Sequence, residues 1–173
     1  MKMTNALKLA GVLGALVMAQ SCANTNSTGP DVVAGQNADT GALDRSGIVP
    51  GSEADLEQNV GNRVFFAYDQ YSLTSQAQDT LRRQADFMKQ YPGTSVLVAG
   101  NCDERGTREY NLALGARRAE AARAYLVSLG VNSSRIRTVS YGKERPLDPR
   151  STEDAWALNR NATTTITSGA ATS

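Results

Sequence analysis

At 173 residues, with 40% hydrophobic and 20% charged side chains, the sequence has room for one globular domain with extensions and not for two ordinary ones. Eighteen basic against 17 acidic side chains leave a formal net charge of +1, which argues against a protein that tracks a phosphate backbone. Histidine is absent, so Cys–His and Ser–His nucleophilic chemistry and His-ligated metal sites are excluded.

The N-terminus reads as a processing signal. Lys2 and Lys8 make a basic start, and residues 9–19 (LAGVLGALVMA) are an apolar run too short to span a bilayer. The run ends in Ala19-Gln20-Ser21-Cys22, which resembles the lipobox at which lipoproteins are cleaved and acylated; the rival reading is an ordinary secretory signal with a chance cysteine. Cleavage before Cys22 removes two lysines and no acid, leaving 16 basic and 17 acidic side chains and a formal charge of −1, so nucleic acid is not expected as a partner. Lipid on Cys22 would leave Cys102 as the only thiol, and no disulfide could form within the chain. Several acyl chains there would anchor the protein durably. Ala23, in place of an aspartate after the cysteine, implies sorting to the outer membrane by resemblance to such lipoproteins.

Residues 23 to about 58 are rich in Gly, Asn, Ser, Thr and Asp, with Pro30 and Pro50, and bury too little apolar surface to offset their ordering entropy. The organisation expected is a signal peptide over 1–21, a lipidated cysteine and flexible linker over 22–58, a domain over 59–168 and a flexible tail over 169–173. All ten aromatic residues lie between Phe65 and Trp156, within that domain.

Within the domain, residues 64–68 (VFFAY) predict a strand. A helix follows over 74–91, with Ala77, Leu81, Ala85 and Met88 on one face behind a Ser75-x-x-Gln78 capping box. Pro92-Gly93 stops it, and residues 95–99 (SVLVA) make a second strand. A long helix runs from about Glu109 to Leu129, with Leu114, Ala121, Tyr125 and Leu129 on its apolar side and Gly130 after its end. A strand over 136–141, a short helix from Ser151 or Thr152 to about Asn159, and a terminal strand over 163–167 complete the order. The fold class expected is α+β, a β-α-β-α-β-(α)-β sandwich with helices on one face of a mixed sheet.

The stretch from Gly100 to Ala119 (GNCDERGTREYNLALGARRA), with SYGKERP over 140–146 and Asn159-Arg160, resembles the OmpA-like peptidoglycan-binding domain over roughly residues 60 to 167. Combined with a lipobox and a short tether, it is similar to the peptidoglycan-associated lipoproteins (Pal) within that family. Spacing alone makes Asp103 a helix cap and Arg118 a solvated helix charge. Yet Leu114 and Arg118 share a helix face, with Arg118 directed back toward the loop that carries Asp103, so a carboxylate and a guanidinium could converge on one pocket. Such a pair suits a zwitterion, the carboxylate accepting from an ammonium and the guanidinium forking onto a carboxylate. The resemblance implies that this zwitterion is the diaminopimelate of the peptidoglycan stem peptide, with Ala67, Tyr68, Asp69, Thr107 and Leu114 lining the same site.

The resemblance further implies an outer-membrane lipoprotein on the periplasmic side, part of a Tol-Pal system with TolB as protein partner, non-catalytic and without cofactor or metal. Glu104, Arg105 and Tyr110 are candidates for partner contact, the alternative for Glu104 and Arg105 being an exposed loop salt bridge. Arg117 is expected on the outer face, and Cys102 as a small semi-buried filler. The competing functions are a purely structural lipoprotein and a peptidoglycan hydrolase using Asp103 and Glu104, although adjacent residues on one loop rarely flank a bond from opposite sides. Three positions depart from the family pattern: Ala99 where Glu is common, Asn101 where His is usual, and Asn161 where Arg is usual.

Overall fold

The computed structural model describes residues 47–171, all within the second of two units, residues 39–173. The expectations for the signal peptide, Cys22 and most of the linker fall on residues 1–46, outside the described residues.

The ordered chain starts earlier than residue 59. Ser52 caps a single turn, α1 (Glu53–Asp55), that runs into a π-helical turn over Leu56–Val60. Leu56 is 1% exposed and belongs to the hydrophobic core, and a Glu53 carboxylate oxygen accepts from the Ile166 amide at 2.7 Å. Residues 53–58, expected in the linker, are therefore part of the domain. The tail is also held, since Gly169 and Ala171 bond to Thr94 and Gly51. One buried leucine among five small or polar residues gives no periodicity, which is why composition misplaced the boundary.

Four strands, β1 (Arg63–Phe65), β2 (Ser95–Asn101), β3 (Ile136–Gly142) and β4 (Asn161–Ser168), form one sheet in the order β1-β4-β2-β3. β4 is antiparallel to both neighbours, and β2 and β3 are parallel, so the sheet is mixed as expected. β1 is shorter than predicted: Phe66 leaves the ladder to bond the Arg160 carbonyl, and the chain turns at Asp69, whose φ is 57°.

Helices α2 (Ser75–Gln90) and α3 (Arg108–Ser128) cover one face, and a short helix α4 (Glu153–Asn159) precedes β4. α2 buries Ala77, Leu81, Ala85 and Met88 as the spacing predicts. Its cap is Thr74, whose hydroxyl accepts from the Ala77 amide, and not the expected Ser75–Gln78 box. On α3 the buried stripe is Asn111, Leu114, Gly115, Arg118, Ala119, Ala122 and Leu126. Ala121, Tyr125 and Leu129 lie half-buried beside it. A polar residue, a glycine and a cation on the buried face displaced the predicted apolar stripe onto its flank.

The crossing of α3 over the sheet is set by two glycines. A Cβ on Gly100 would overlap the Gly115 carbonyl, and one on Gly115 would strike the Ser140 hydroxyl and the Gly100 carbonyl. This close approach holds the start of α3 against the ends of β2 and β3, where the candidate site lies.

Candidate ligand-binding site

The loop from Cys102 to Gly106 leaves β2 and enters α3 at Thr107, whose hydroxyl accepts from the Tyr110 amide. Asn111 closes the loop: its amide donates to the Arg105 and Thr107 carbonyls at 2.8 and 3.1 Å. The loop after β1 lies opposite, and a pocket of about 190 Å³ opens between them. Tyr68, Asp69, Asp103, Leu114 and Arg118 all line it, together with Arg105 and Tyr110.

Asp103 is 4% exposed. One carboxylate oxygen accepts from the Arg105 amide and Nε at 3.1 and 3.2 Å, the other from Arg105 Nη2 at 2.7 Å and Arg160 Nη1 at 3.4 Å. Burial alone would raise its pKa, but these hydrogen bonds, chiefly from the Arg105 side chain and amide, outweigh it and hold the carboxyl below its ordinary value.

Arg118 is 1% exposed and its fork is turned inward. Nε donates to the Gln70 carbonyl at 2.8 Å, Nη1 to the Asn101 carbonyl at 2.8 Å and toward Cys102 Sγ at 3.5 Å, and Nη2 to the Ala67 carbonyl at 3.2 Å. Burial depresses its pKa. Of the five guanidinium N–H groups, one on Nη2 is left without a partner among the described residues. The two-armed grip expected of Arg118 is therefore not available, because the fold itself uses the other arms and leaves one donor.

Asp69 differs from Asp103 in having an oxygen without a hydrogen-bond partner among the described residues, its other one accepting from the Tyr110 hydroxyl. At the rim Arg105 is stacked between the rings of Tyr68 and Trp156, 4.3 and 4.2 Å from their centroids, and its Nη1 lies 3.7 Å from Glu153. Glu104 does not pair with Arg105. Hydrogen bonds from Ser151 and from the Trp156 indole hold its carboxyl below the usual range.

Two residues expected in the pocket are not on its wall. Ala67 contributes only its carbonyl behind Arg118, and Thr107 is the cap of α3. Four that belong to the site were not singled out for it: Asn111, Cys102, Trp156 and Arg160. Cys102 is a wall residue, 3% exposed, whose Sγ donates to the Asn111 carbonyl. Arg160 reaches both Asp103 and Glu153, a placement that only the Asn159-Arg160 motif could have suggested.

The OmpA family model matches residues 65–160, more than half of the chain. A peptidoglycan-associated lipoprotein of Mesorhizobium japonicum is 52% identical over 129 residues, covering 75% of this chain and 77% of the relative. The chain belongs to the peptidoglycan-associated lipoprotein family. Another member, from Rhizobium meliloti, is 46% identical over 158 residues, 90% of this chain and 86% of its own. The crystal structure of the family member from Burkholderia pseudomallei superposes with a TM-score of 0.59 at 45% identity, covering 61% of this chain and 89% of that one.

Against the family pattern, two departures prove to be partners. Asn101 Nδ2 donates to Asn161 Oδ1 at 2.9 Å, across neighbouring positions of β2 and β4, and both side chains are buried. Asn161 Nδ2 in turn donates to the Leu158 carbonyl at 2.8 Å. The amide pair thus satisfies itself and the end of α4 where a ring and a cation are usual.

Proposed function

We propose that the chain is a non-catalytic tether that binds the diaminopimelate side chain of the peptidoglycan stem peptide in this pocket, while lipid on Cys22 fixes it to the outer membrane with the domain in the periplasm. The observation that carries this reading is the convergence of Asp103 and Arg118, from a loop and the third turn of a helix, on one small pocket. A zwitterionic amino-acid end group matches it: the ammonium meets Asp69, at the oxygen not bonded to Tyr110, and Asp103, while the carboxylate meets the remaining Arg118 Nη2 proton. An ammonium at Asp103 has only the long Arg160 contact, at 3.4 Å, to displace. Because Arg118 is already held by three carbonyls, little ordering remains to be done on binding.

TolB and the Tol-Pal system are the partners this reading expects. Arg105 and Tyr110, at the rim of the same pocket, would be shared, so a protein gripping them competes with the wall.

Co-sedimentation of the full chain with purified sacculi tests the reading. Wild type should pellet and Asp103→Asn, which keeps shape but removes charge, should stay largely in solution. Equal pelleting of the two would remove Asp103 from the site, and a clearing band on zymography would favour a hydrolase. For the anchor, incorporation of a fatty-acid analogue should be lost in Cys22→Ser; labelling that persists would reject the lipidation site.

A further inference from the structure

The face of the sheet that α2 and α3 leave uncovered carries a second recess, of about 310 Å³, with a different chemistry from the pocket. Its floor is Leu97 and Ala99 from β2 and Thr163 and Thr165 from β4. One wall is Arg63 on the edge strand β1, the other Tyr141, Arg145 and Leu147 at and after the end of β3. Arg137, in register with Leu97, extends the same face and is exposed. No carboxylate lines the recess.

The three arginines are poorly neutralised. Arg145 lies on the Tyr141 ring at 3.7 Å, and neither it nor Arg137 has an acidic partner among the described residues. Among the described residues Arg63 reaches only one carboxylate, Glu57 at 3.9 Å, and its Nε is buried without a hydrogen-bond partner. An orphaned buried donor is unfavourable, and an acceptor that reaches it relieves that cost. These uncompensated cations stand out on a chain whose total formal charge is only +1.

We infer that this groove docks an extended acidic peptide segment of a partner protein, one with an aliphatic residue between carboxylates. The outer strands are three spacings apart, roughly 14 Å, which accommodates a single extended chain lying between the walls. Such a chain sends successive side chains to opposite sides, so the aliphatic residue between two carboxylates faces the floor while the carboxylates stay at the rim, within reach of the arginines of either wall. Leu97 and Leu147, the latter 47% exposed, take the aliphatic residue. The recessed apolar floor between projecting arginines fits a chain better than a lipid surface, and a second copy of this face would set arginine against arginine. The groove does not depend on the pocket or on the function proposed for it.

The test uses the full chain and a fluorescent, end-capped Glu-Leu-Glu-Val-Glu peptide, followed by anisotropy and by amide chemical shifts. Binding should saturate, weaken as salt is raised, and move the amides of Leu97, Ala99, Thr163 and Thr165. Arg63→Gln and Arg145→Gln, which retain bulk and hydrogen bonding, should each weaken it by about tenfold. Arg123→Gln, on the far side of the molecule, should leave it unchanged. Thermal melts matching wild type establish that the variants are folded. Absence of saturable binding, equal affinity in the Gln variants, shifts confined to the pocket around Asp103, or stronger Arg63- and Arg145-dependent binding to phosphatidylglycerol vesicles than to the peptide would each overturn the proposal.

Discussion

From Ala119 onward, α3 presses Ala122 and Leu126 into a dry core with Leu81, Met88, Val96 and Val98, every one of them fully buried. In the two turns before, the same helix face presents Asn111, Gly115 and Arg118, equally buried but surrounded by carbonyls and a carboxylate. The C-terminal half is held by area removed from water, which tolerates any side chain of the right volume. The N-terminal half is held by a set of directed hydrogen bonds in which all but one of the Arg118 donors are matched to an acceptor, and it tolerates almost nothing. The pocket lies at the N-terminal half, so the residues that build it and those that would bind with it are the same.

The difference predicts an order of sensitivity. Gly100→Val should prevent folding, because no rearrangement short of moving α3 off the sheet makes room for the side chain; a soluble, cooperatively melting variant would show that the close approach is not required. Arg118→Ala should cost about 3–5 kcal/mol by chemical denaturation, since it strands three carbonyls, and Arg118→Met should recover little of that despite its bulk. Leu126→Ala should cost about 2–5 kcal/mol, and here Leu126→Met should recover most of the loss. If Met rescued both positions alike, the contrast between the two halves would fail.

Smaller effects sharpen it. Asn101→Ala and Asn161→Ala should each cost about 1–2 kcal/mol, and the double variant clearly less than the sum, because the two amides are partners. Additive losses would mean that the pair is incidental. The Asp103 carboxyl, held below its ordinary value near 3.8, contributes stability that is present above that value and lost as pH falls through the lower folded one. Urea titrations should therefore show an acid-side loss in wild type that is reduced in Asp103→Asn. An unchanged slope would indicate that the Arg105 contact forms equally in the unfolded chain.

The dry half was legible from spacing. Ala77, Leu81, Ala85 and Met88 recur at helical intervals, and residues 95–99 are an apolar strand bounded by a turn, so α2 and β2 could be read directly. The wet half was not. Arg118 reads as a solvated charge, and Asn111 and Gly115 as gaps in an apolar stripe, until the loop carbonyls they serve are present in three dimensions. Helix geometry allowed Asp103 and Arg118 to converge and the motif favoured it, but neither revealed that Arg118 spends its fork on Gln70, Asn101 and Ala67. Leu56 escaped for the opposite reason: a lone apolar residue in a polar stretch has no period, and its burial depends wholly on a core assembled from distant segments.

Titration calorimetry of the full chain with a diaminopimelate muropeptide tests the pocket most directly. Wild type should bind, and Asp103→Asn should bind roughly ten- to hundredfold more weakly, as should wild type with the amidated ligand, each change removing one charge-assisted contact. Equal affinity across all three, with both proteins folded, would contradict the pocket's role and leave Asp103 and Arg118 as elements of the fold alone.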